Sequence, residues 1–503
     1  MSIAERGTPR ASPDESEEPG TPATPGGPDE PGTTGTTGEP AWPALRALLL
    51  RLHFYAGVLI GPFLVVAAVT GIAYVFTSQL ERAVYDHELR VPAADTTLPL
   101  DEQADIARAL VPDGRLTGVR PGPTPTDSTQ VVFKLPGQRE SYNHTVFVDP
   151  HTGEVRGQHE TYGSGQALPL RGWIDNLHRN LHLGEFGRLY SELAASWLWV
   201  VVLAGLALWI GRRRKHKREL VLPRPAPAGR RRVLSWHGAV GLWAAAGLLF
   251  LSATGLTWSA YAGATVGEVR TALDWTTPAV TSAVDAAADG PDIGLQAARD
   301  AALAVGLTDP VEVRPPAEGK AYVVQQVQRS WPEKQDSAAI HPVTGEVLDV
   351  LRFADYPLAA KLTRWGIDAH MGLLFGLPNQ LVLTALALAL VALVLWGYRM
   401  WWQRRPTRGG ARFGRAPARG GWRRTPGRVL APVAVLAAVV GYHLPLLGIP
   451  LLAFLALDVV LGARQEREAR QEGTQAEAGP GASADDGLPD EGTANTEERG
   501  VPA

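Results

Sequence analysis

The chain has no cysteine among its 503 residues. That absence removes disulfides, thiolate metal sites and the Cys-x-x-Cys-His attachment of a c-type haem together. Any haem would be held non-covalently. Also missing are a Gly-x-Gly-x-x-Gly opening a helix after a strand, a P-loop and a serine elbow, so no nicotinamide or flavin domain is indicated and no catalytic residue is assigned. Large apolar residues are scarce in residues 1–40 and 464–503. Such segments bury too little surface to offset their ordering entropy, and both read as disordered tails. The first lacks the basic flank and short apolar core of a secretory signal. The chain also lacks a charge excess: the formal net charge is -3 and the mean hydropathy is -0.05. Those averages hide segments of opposite character.

Apolar runs near 45–76, 192–211, 233–261 and 380–402 are each long enough for the ~20 residues that cross a hydrocarbon layer. Arg46 and Arg51 precede the first, basic residues over 212–232 separate the second and third, and Arg404 to Arg424 follow the fourth. The positive-inside rule then predicts a multi-pass protein of a bacterial-type cell membrane, with both termini cytoplasmic and the polar segments outside. These basic loops are topology determinants, and no nucleic-acid partner is expected. A further apolar stretch, 429–461, is interrupted by Pro445 and Pro450 and flanked by positive charge at both ends, which predicts a hairpin of two short helices.

His53, Gly57, Thr70 and Gly71 follow the pattern His-x3-Gly-x12-Thr-Gly, and His237, Gly241, Thr254 and Gly255 repeat it. Asp149-Pro150-His151-Thr152-Gly153-Glu154-Val155 recurs as His341-Pro342-Val343-Thr344-Gly345-Glu346-Val347, an offset of 192. At that same offset Trp173, His178 and Gly184 fall on Trp365, His370 and Gly376. Fixed-period self-similarity of this kind is an organising signal. The reading is a mainly α integral membrane protein whose duplicated halves form a four-helix membrane bundle. Its parts are a tail (1–40), a first span (45–76), a first outer domain (77–172) and a second span with its histidine lead-in (173–211). A basic loop (212–232), third span (233–261), second outer domain (263–364) and fourth span with lead-in (365–403) follow. A second basic loop (404–428), the apolar hairpin (429–461) and a tail (464–503) complete it. Each outer domain is expected to be a small α+β unit. The first has a helix over 101–110 and strands over 130–134 and 145–148, and the second has a helix over 295–305 and strands over 321–327 and 338–340.

The duplicated order, the Asp-Pro-x-Thr-Gly-Glu-Val turn, the Leu177-His178-Arg179-Asn180-Leu181 motif and the Trp236-His237 start of the third span resemble the PepSY-associated transmembrane family over about residues 42–404. The resemblance implies two PepSY-like outer domains. It also implies an iron-regulated membrane protein, some relatives being haem-containing reductases of ferric siderophores.

His53 and His237 lie near the inner face, and His178 and His370 near the outer face. A twofold axis along the membrane normal would let equivalent residues meet, giving one histidine pair at each level. A lone membrane histidine commonly bonds a neighbouring helix for about 1 kcal/mol. Four at repeated positions point instead to paired axial ligands of b-type haem, two per chain. His182, one turn after His178, is a substitute ligand or part of a substrate entrance. His443 reads as structural and His341 as a surface residue. The small residues Gly57, Gly61, Gly71, Gly241, Gly247 and Gly255 read first as helix-packing positions.

The leading expectation is a transmembrane electron carrier that takes electrons from a separate donor and reduces a ferric chelate or siderophore outside. The alternatives are a membrane-anchored module binding an extracellular peptidase, and a carrier of iron or haem.

Overall fold

The computed structural model describes residues 41–213, 217–225, 228–284, 290–405, 417 and 425–477. The expected tail at 1–40, the part of the C-terminal tail from 478 onward and most of the basic loop at 404–428 lie outside the described residues, as do 214–216 and 226–227.

Helix α1 (Ala41–Val75) leads through α2 (Thr77–Val84) and α3 (Asp86–Leu89) to α4 (Leu100–Leu110). Strands β1 (Arg115–Arg120), β2 (Thr129–Lys134), β3 (Tyr142–Val148) and β4 (Val155–Tyr162) come next, then α5 (Pro169–Asn180) and α6 (Gly184–Arg213). Beyond α7 (Lys217–Val221) the order of elements is similar: α8 (Arg230–Leu256), α9 (Tyr261–Ala272) and α10 (Gly294–Ala304), then β5 (Val311–Arg314), β6 (Tyr322–Gln326), β7 (Ser337–Ile340) and β8 (Val347–Leu351). These are followed by α11 (Leu358–His370), α12 (Leu377–Trp402), α13 (Gly427–His443) and α14 (Pro445–Glu477).

Among the described residues five helices are long and apolar enough to cross a membrane: α1, α6, α8, α12 and α14. This is a multi-pass membrane protein. Helix α1 packs on α6 and α12, and α8 packs on the same two. Leu64, Trp197, Leu248 and Leu390, one from each helix, share a buried core.

Prolines inside these helices are compensated. Pro62 cannot donate to Val58, and the Val58 carbonyl accepts instead from the Tyr398 hydroxyl at 2.7 Å. Pro450 likewise frees the Leu446 carbonyl, which accepts from the Trp197 indole at 3.2 Å. A proline ends a helix when the carbonyl four residues earlier is left without a donor. Here both are satisfied and both helices continue. The expected pair of helices at 429–461 is present as α13 and α14, which divide at Pro445 and pack on each other; the expected shortness of the second is corrected, since α14 runs 33 residues to Glu477, and residues 464–477 are helical where a disordered tail was expected. An ion pair from Arg51 to Asp458 ties α14 to α1.

The two expected outer domains form one sheet. Its order is β4-β3-β2-β1-β5-β6-β7-β8, joined antiparallel where Val119 pairs with Val313. Strands β1 and β5 would otherwise be exposed edges, and pairing them covers both. Arg120 reaches across the joint to Glu312. Asp101 accepts from the Leu295 and Gln296 amides at 2.7 and 3.1 Å, so each oxygen satisfies an otherwise unpaired donor at the start of α10. Val119, Val131, Phe133, Val313, Leu295 and Ile340 lie in one core cluster. The two expected units thus share a single eight-stranded layer. The recurrent turns act alike: Asp149 Oδ1 accepts from the His151 amide at 2.8 Å, and His341 Nδ1 accepts from the Val343 and Thr344 amides at 3.2 Å. Both turns then need the left-handed backbone of Gly153 (φ 76°) and Gly345 (φ 73°), where a Cβ is strained. His341 belongs to this turn.

Candidate cofactor-binding site

Four histidines lie at two levels of the helices. His53 and Gly71 are eighteen residues apart on α1, about 27 Å at helical rise. His53 is at the far end and Gly71 at the end nearest the sheet.

At the far end the imidazoles of His53 and His237 lie edge to face, with ring centres 6.1 Å apart and planes at 81°. His53 Nδ1 bonds the Val201 carbonyl at 2.9 Å, and His237 Nδ1 bonds the Leu393 carbonyl at 3.1 Å. A carbonyl only accepts, so Nδ1 carries the proton and Nε2 keeps its lone pair in both rings. Two imidazoles that would share one metal, each nitrogen about 2 Å from it, have ring centres no more than about 6 Å apart. The observed spacing fits that arrangement. Beside the pair, one turn on, a Cβ on Gly57 would meet nothing within 4 Å, and one on Gly241 would meet only Leu393 at 3.7 Å. The glycine of His-x3-Gly thus leaves space next to each ring. Gly205 serves closeness, because a Cβ there would stand 2.9 Å from His53 Cε1. Gly61 and Gly247 instead meet Val394, Tyr398 and Leu386 of α12, as packing positions do.

At the sheet end the Thr-Gly half of the motif seats the second pair. His178 on α5 bonds Thr70 Oγ1 at 3.0 Å, and His370 on α11 bonds Thr254 Oγ1 at 2.6 Å. Each threonine spends its own proton on a carbonyl, Val66 or Phe250, both at 2.8 Å. Its oxygen therefore accepts from imidazole Nδ1, and Nε2 is again free. A Cβ on Gly71 would stand 3.2 Å from His178 Cε1 and one on Gly255 3.9 Å from His370 Cε1. Burial pushes His178 down to about 4 and His370 to about 3, with His178 adding to the latter shift. Both are neutral near pH 7, the form that ligates.

His178 and His370 line one cavity of about 470 Å³ that runs from the loop after β4 into the helices. Its deep walls are apolar, including Leu64, Leu198, Leu248 and Leu390, and its sheet side presents Arg171, Arg179, Arg188, Arg329 and Arg364. Volume and lining suit an amphiphilic ligand of cofactor size. Behind the arginines, Asp368 is fully buried and holds Arg329 at 2.6 Å and Arg364 at 3.1 Å. Glu333 accepts from Arg364 Nε at 2.6 Å. Burial pushes Glu333 up, to about 7, against the pull of Arg364.

His182 is corrected. Helix α5 stops at Asn180, and Leu181 and His182 take left-handed backbones at φ 54° and 56°. Asn180 Oδ1 accepts from the His182 amide at 2.9 Å, so His182 leaves the helical face of His178. It lies exposed against Trp173, ring centres 4.9 Å apart. Sequence reasoning assigned no role to Thr70 and Thr254, although the repeated Thr-Gly carried that signal. The Asp368 cluster left no such trace, since its partners lie in different elements. Among the described residues no group of three or more His, Cys, Asp or Glu is arranged to hold a metal ion.

No curated protein matches the chain. The family model described as the PepSY-associated TM region matches residues 50–404. That span takes in all four histidines, the sheet and four of the five long helices, and the chain belongs to the PepSY-associated TM region family.

Proposed function

We propose that this protein carries electrons across the membrane through two non-covalently held b-type haems and reduces a ferric chelate on the sheet side. The observation that carries the reading is the 6.1 Å spacing of the His53 and His237 rings, with both Nε2 atoms free. The wider frame is a duplication. Hydrogen bonds from His53 to Val201 and from His237 to Leu393 are equivalent contacts in two halves, as are those from Thr70 to His178 and from Thr254 to His370. Helices α1, α6, α8 and α12 then form a four-helix bundle about a pseudo-twofold axis along the membrane normal. The basic flanks of its spans support a sheet that lies outside a bacterial-type cell membrane.

Haem supplies reversible one-electron storage at iron, and the protein supplies ligands, orientation and a dry surrounding. His53 and His237 would hold one haem, and His178 and His370 the other. Backbone carbonyls and threonine hydroxyls fix the tautomers, as metal-bound histidines require of their other nitrogen. The arginines at the cavity mouth offer guanidinium forks to carboxylates, which suits haem propionates. Reduction outside would loosen iron from an oxygen-rich chelator, because Fe(II) is softer and less highly charged than Fe(III).

Anaerobic protein, reduced with dithionite and freed of excess reductant, is expected to be reoxidised by ferric citrate with release of Fe(II). A protein that stays reduced would remove the ferric acceptor from the account. Gly205→Val is expected to push the His53 ring off Val201, because the Cβ alone already stands 2.9 Å from Cε1. Pyridine haemochrome analysis should then show about half the wild-type haem, as loss of one of two bis-histidine sites requires. An unchanged content would contradict the far site.

A further inference from the structure

Four basic residues beyond the far histidine pair keep the register of the repeat. Arg46 and Arg230 each stand seven residues before a far histidine, His53 or His237. Arg212 and Arg404 each stand eleven residues after the carbonyl that such a histidine bonds, Val201 or Leu393. Seven and eleven residues are about two and three helical turns, so each arginine continues the face that its helix turns toward the pair. The four therefore converge at the far ends of α1, α6, α8 and α12, Arg404 coming from the turn that closes α12. Their fields overlap: Arg213, Arg46 and Arg230 act on Arg212, and Arg230 acts on Arg404. The positive-inside rule accounts for the side of the membrane on which such charges lie. It does not account for four of them brought together in matched register.

Little negative charge is at hand to offset them. Glu219 is the only carboxylate between Glu192 and Glu268, and there is none between Glu39 and Glu81 or between Asp368 and Asp458. Arg213 and Arg224 hold Glu219, and Arg51 holds Asp458. Farther along α14, Glu466, Glu468 and Glu472 alternate with Arg464, Arg467 and Arg470, which adds no net charge. Among the described residues Arg46, Arg212, Arg230 and Arg404 have no ion pair.

We propose that this quartet binds the phosphates of an anionic phospholipid. Guanidinium forks match phosphate oxygens two at a time, and basic pockets between membrane helices take such headgroups. The level of the quartet selects a lipid over a soluble acidic partner. Ile210 and Trp402, two residues before Arg212 and Arg404, are 44% and 51% exposed. They offer acyl chains an apolar surface continuous with the spans α6 and α12. Four arginines suit a headgroup with two phosphates, as in cardiolipin. The site is independent of haem.

The test uses the full chain in neutral maltoside detergent, stripped of native lipid. No charged bilayer surface is then present, and only a formed site retains lipid. Native mass spectrometry should show about one cardiolipin retained per chain, as a single pocket requires, and no retained phosphatidylcholine. Arg46→Gln combined with Arg230→Gln should weaken retention about tenfold or more, the loss expected when charge-assisted bonds to phosphate are removed. Lys217→Gln combined with Arg218→Gln takes the same charge from exposed positions on α7 and should bind as wild type. Should the first variant fail to fold, Arg212→Gln with Arg404→Gln puts the same question to the other pair. Equal retention of cardiolipin and phosphatidylcholine by wild type would overturn the proposal and leave the quartet to an acidic protein surface. Equal losses in the quartet and α7 variants would also overturn it, as diffuse attraction. Displacement of the lipid by an equal concentration of inorganic phosphate would assign the site to the free anion and not to lipid.

Discussion

Alanine at His53 or at His237 is expected to remove one haem of two and leave the other spectrally intact. Alanine at His178 or His370 should do the same to the opposite site. The argument is one of separate seats. The His53–His237 pair bonds only Val201 and Leu393 through Nδ1, and the His178–His370 pair bonds only Thr70 and Thr254 by side-chain contact. The levels are about 27 Å apart along α1. Among the described residues the side chains of one pair do not touch those of the other, so each should empty alone. Haem content and low-temperature spectra of the four variants check this. Loss of both haems from each variant would contradict independent pairs.

The second large effect is expected at Asp368→Ala. Asp368 is fully buried and neutralises Arg329 at 2.6 Å and Arg364 at 3.1 Å. Its removal leaves two mostly buried guanidinium groups, Arg364 with Glu333 and Arg329 with the Met371 sulfur. Breaking such a cluster from one side costs about 3–5 kcal/mol. The same helix carries His370 two residues on, so the sheet-end site should fail with it. Thermal unfolding of purified protein in detergent should show a clearly lowered midpoint, together with haem confined to the far site. A variant with wild-type stability would show that the arginines find solvent or other partners.

Much of this was legible in the sequence because membrane helices are long, apolar and repeated. All four spans fell where the apolar runs placed them, and the histidine pattern brought His53 to His237. What failed had local physical causes. Pro445 does divide α13 from α14, but Pro450 also read as a breaker, and the Leu446 carbonyl it releases is taken by Trp197, a donor 249 residues away that no window on the sequence sees. Strands β1, β4, β5 and β8 escaped notice because they are short or carry polar residues on both faces, as Arg115–Arg120 and Val155–Tyr162 do. The joining of two expected units through Val119 and Val313 is a long-range pairing, and only the three-dimensional structure exposes it. His182 was placed by helical arithmetic, which stopped applying when α5 ended at Asn180.

The central claim meets its most direct test in the visible spectrum of detergent-purified protein from haem-replete cells, oxidised and dithionite-reduced, with haem quantified per chain. The proposed seats, one haem held by His53 and His237 and the other by His178 and His370, predict about two b-type haems per polypeptide. A colourless protein would contradict that claim and turn the histidine pairs into helix-packing contacts.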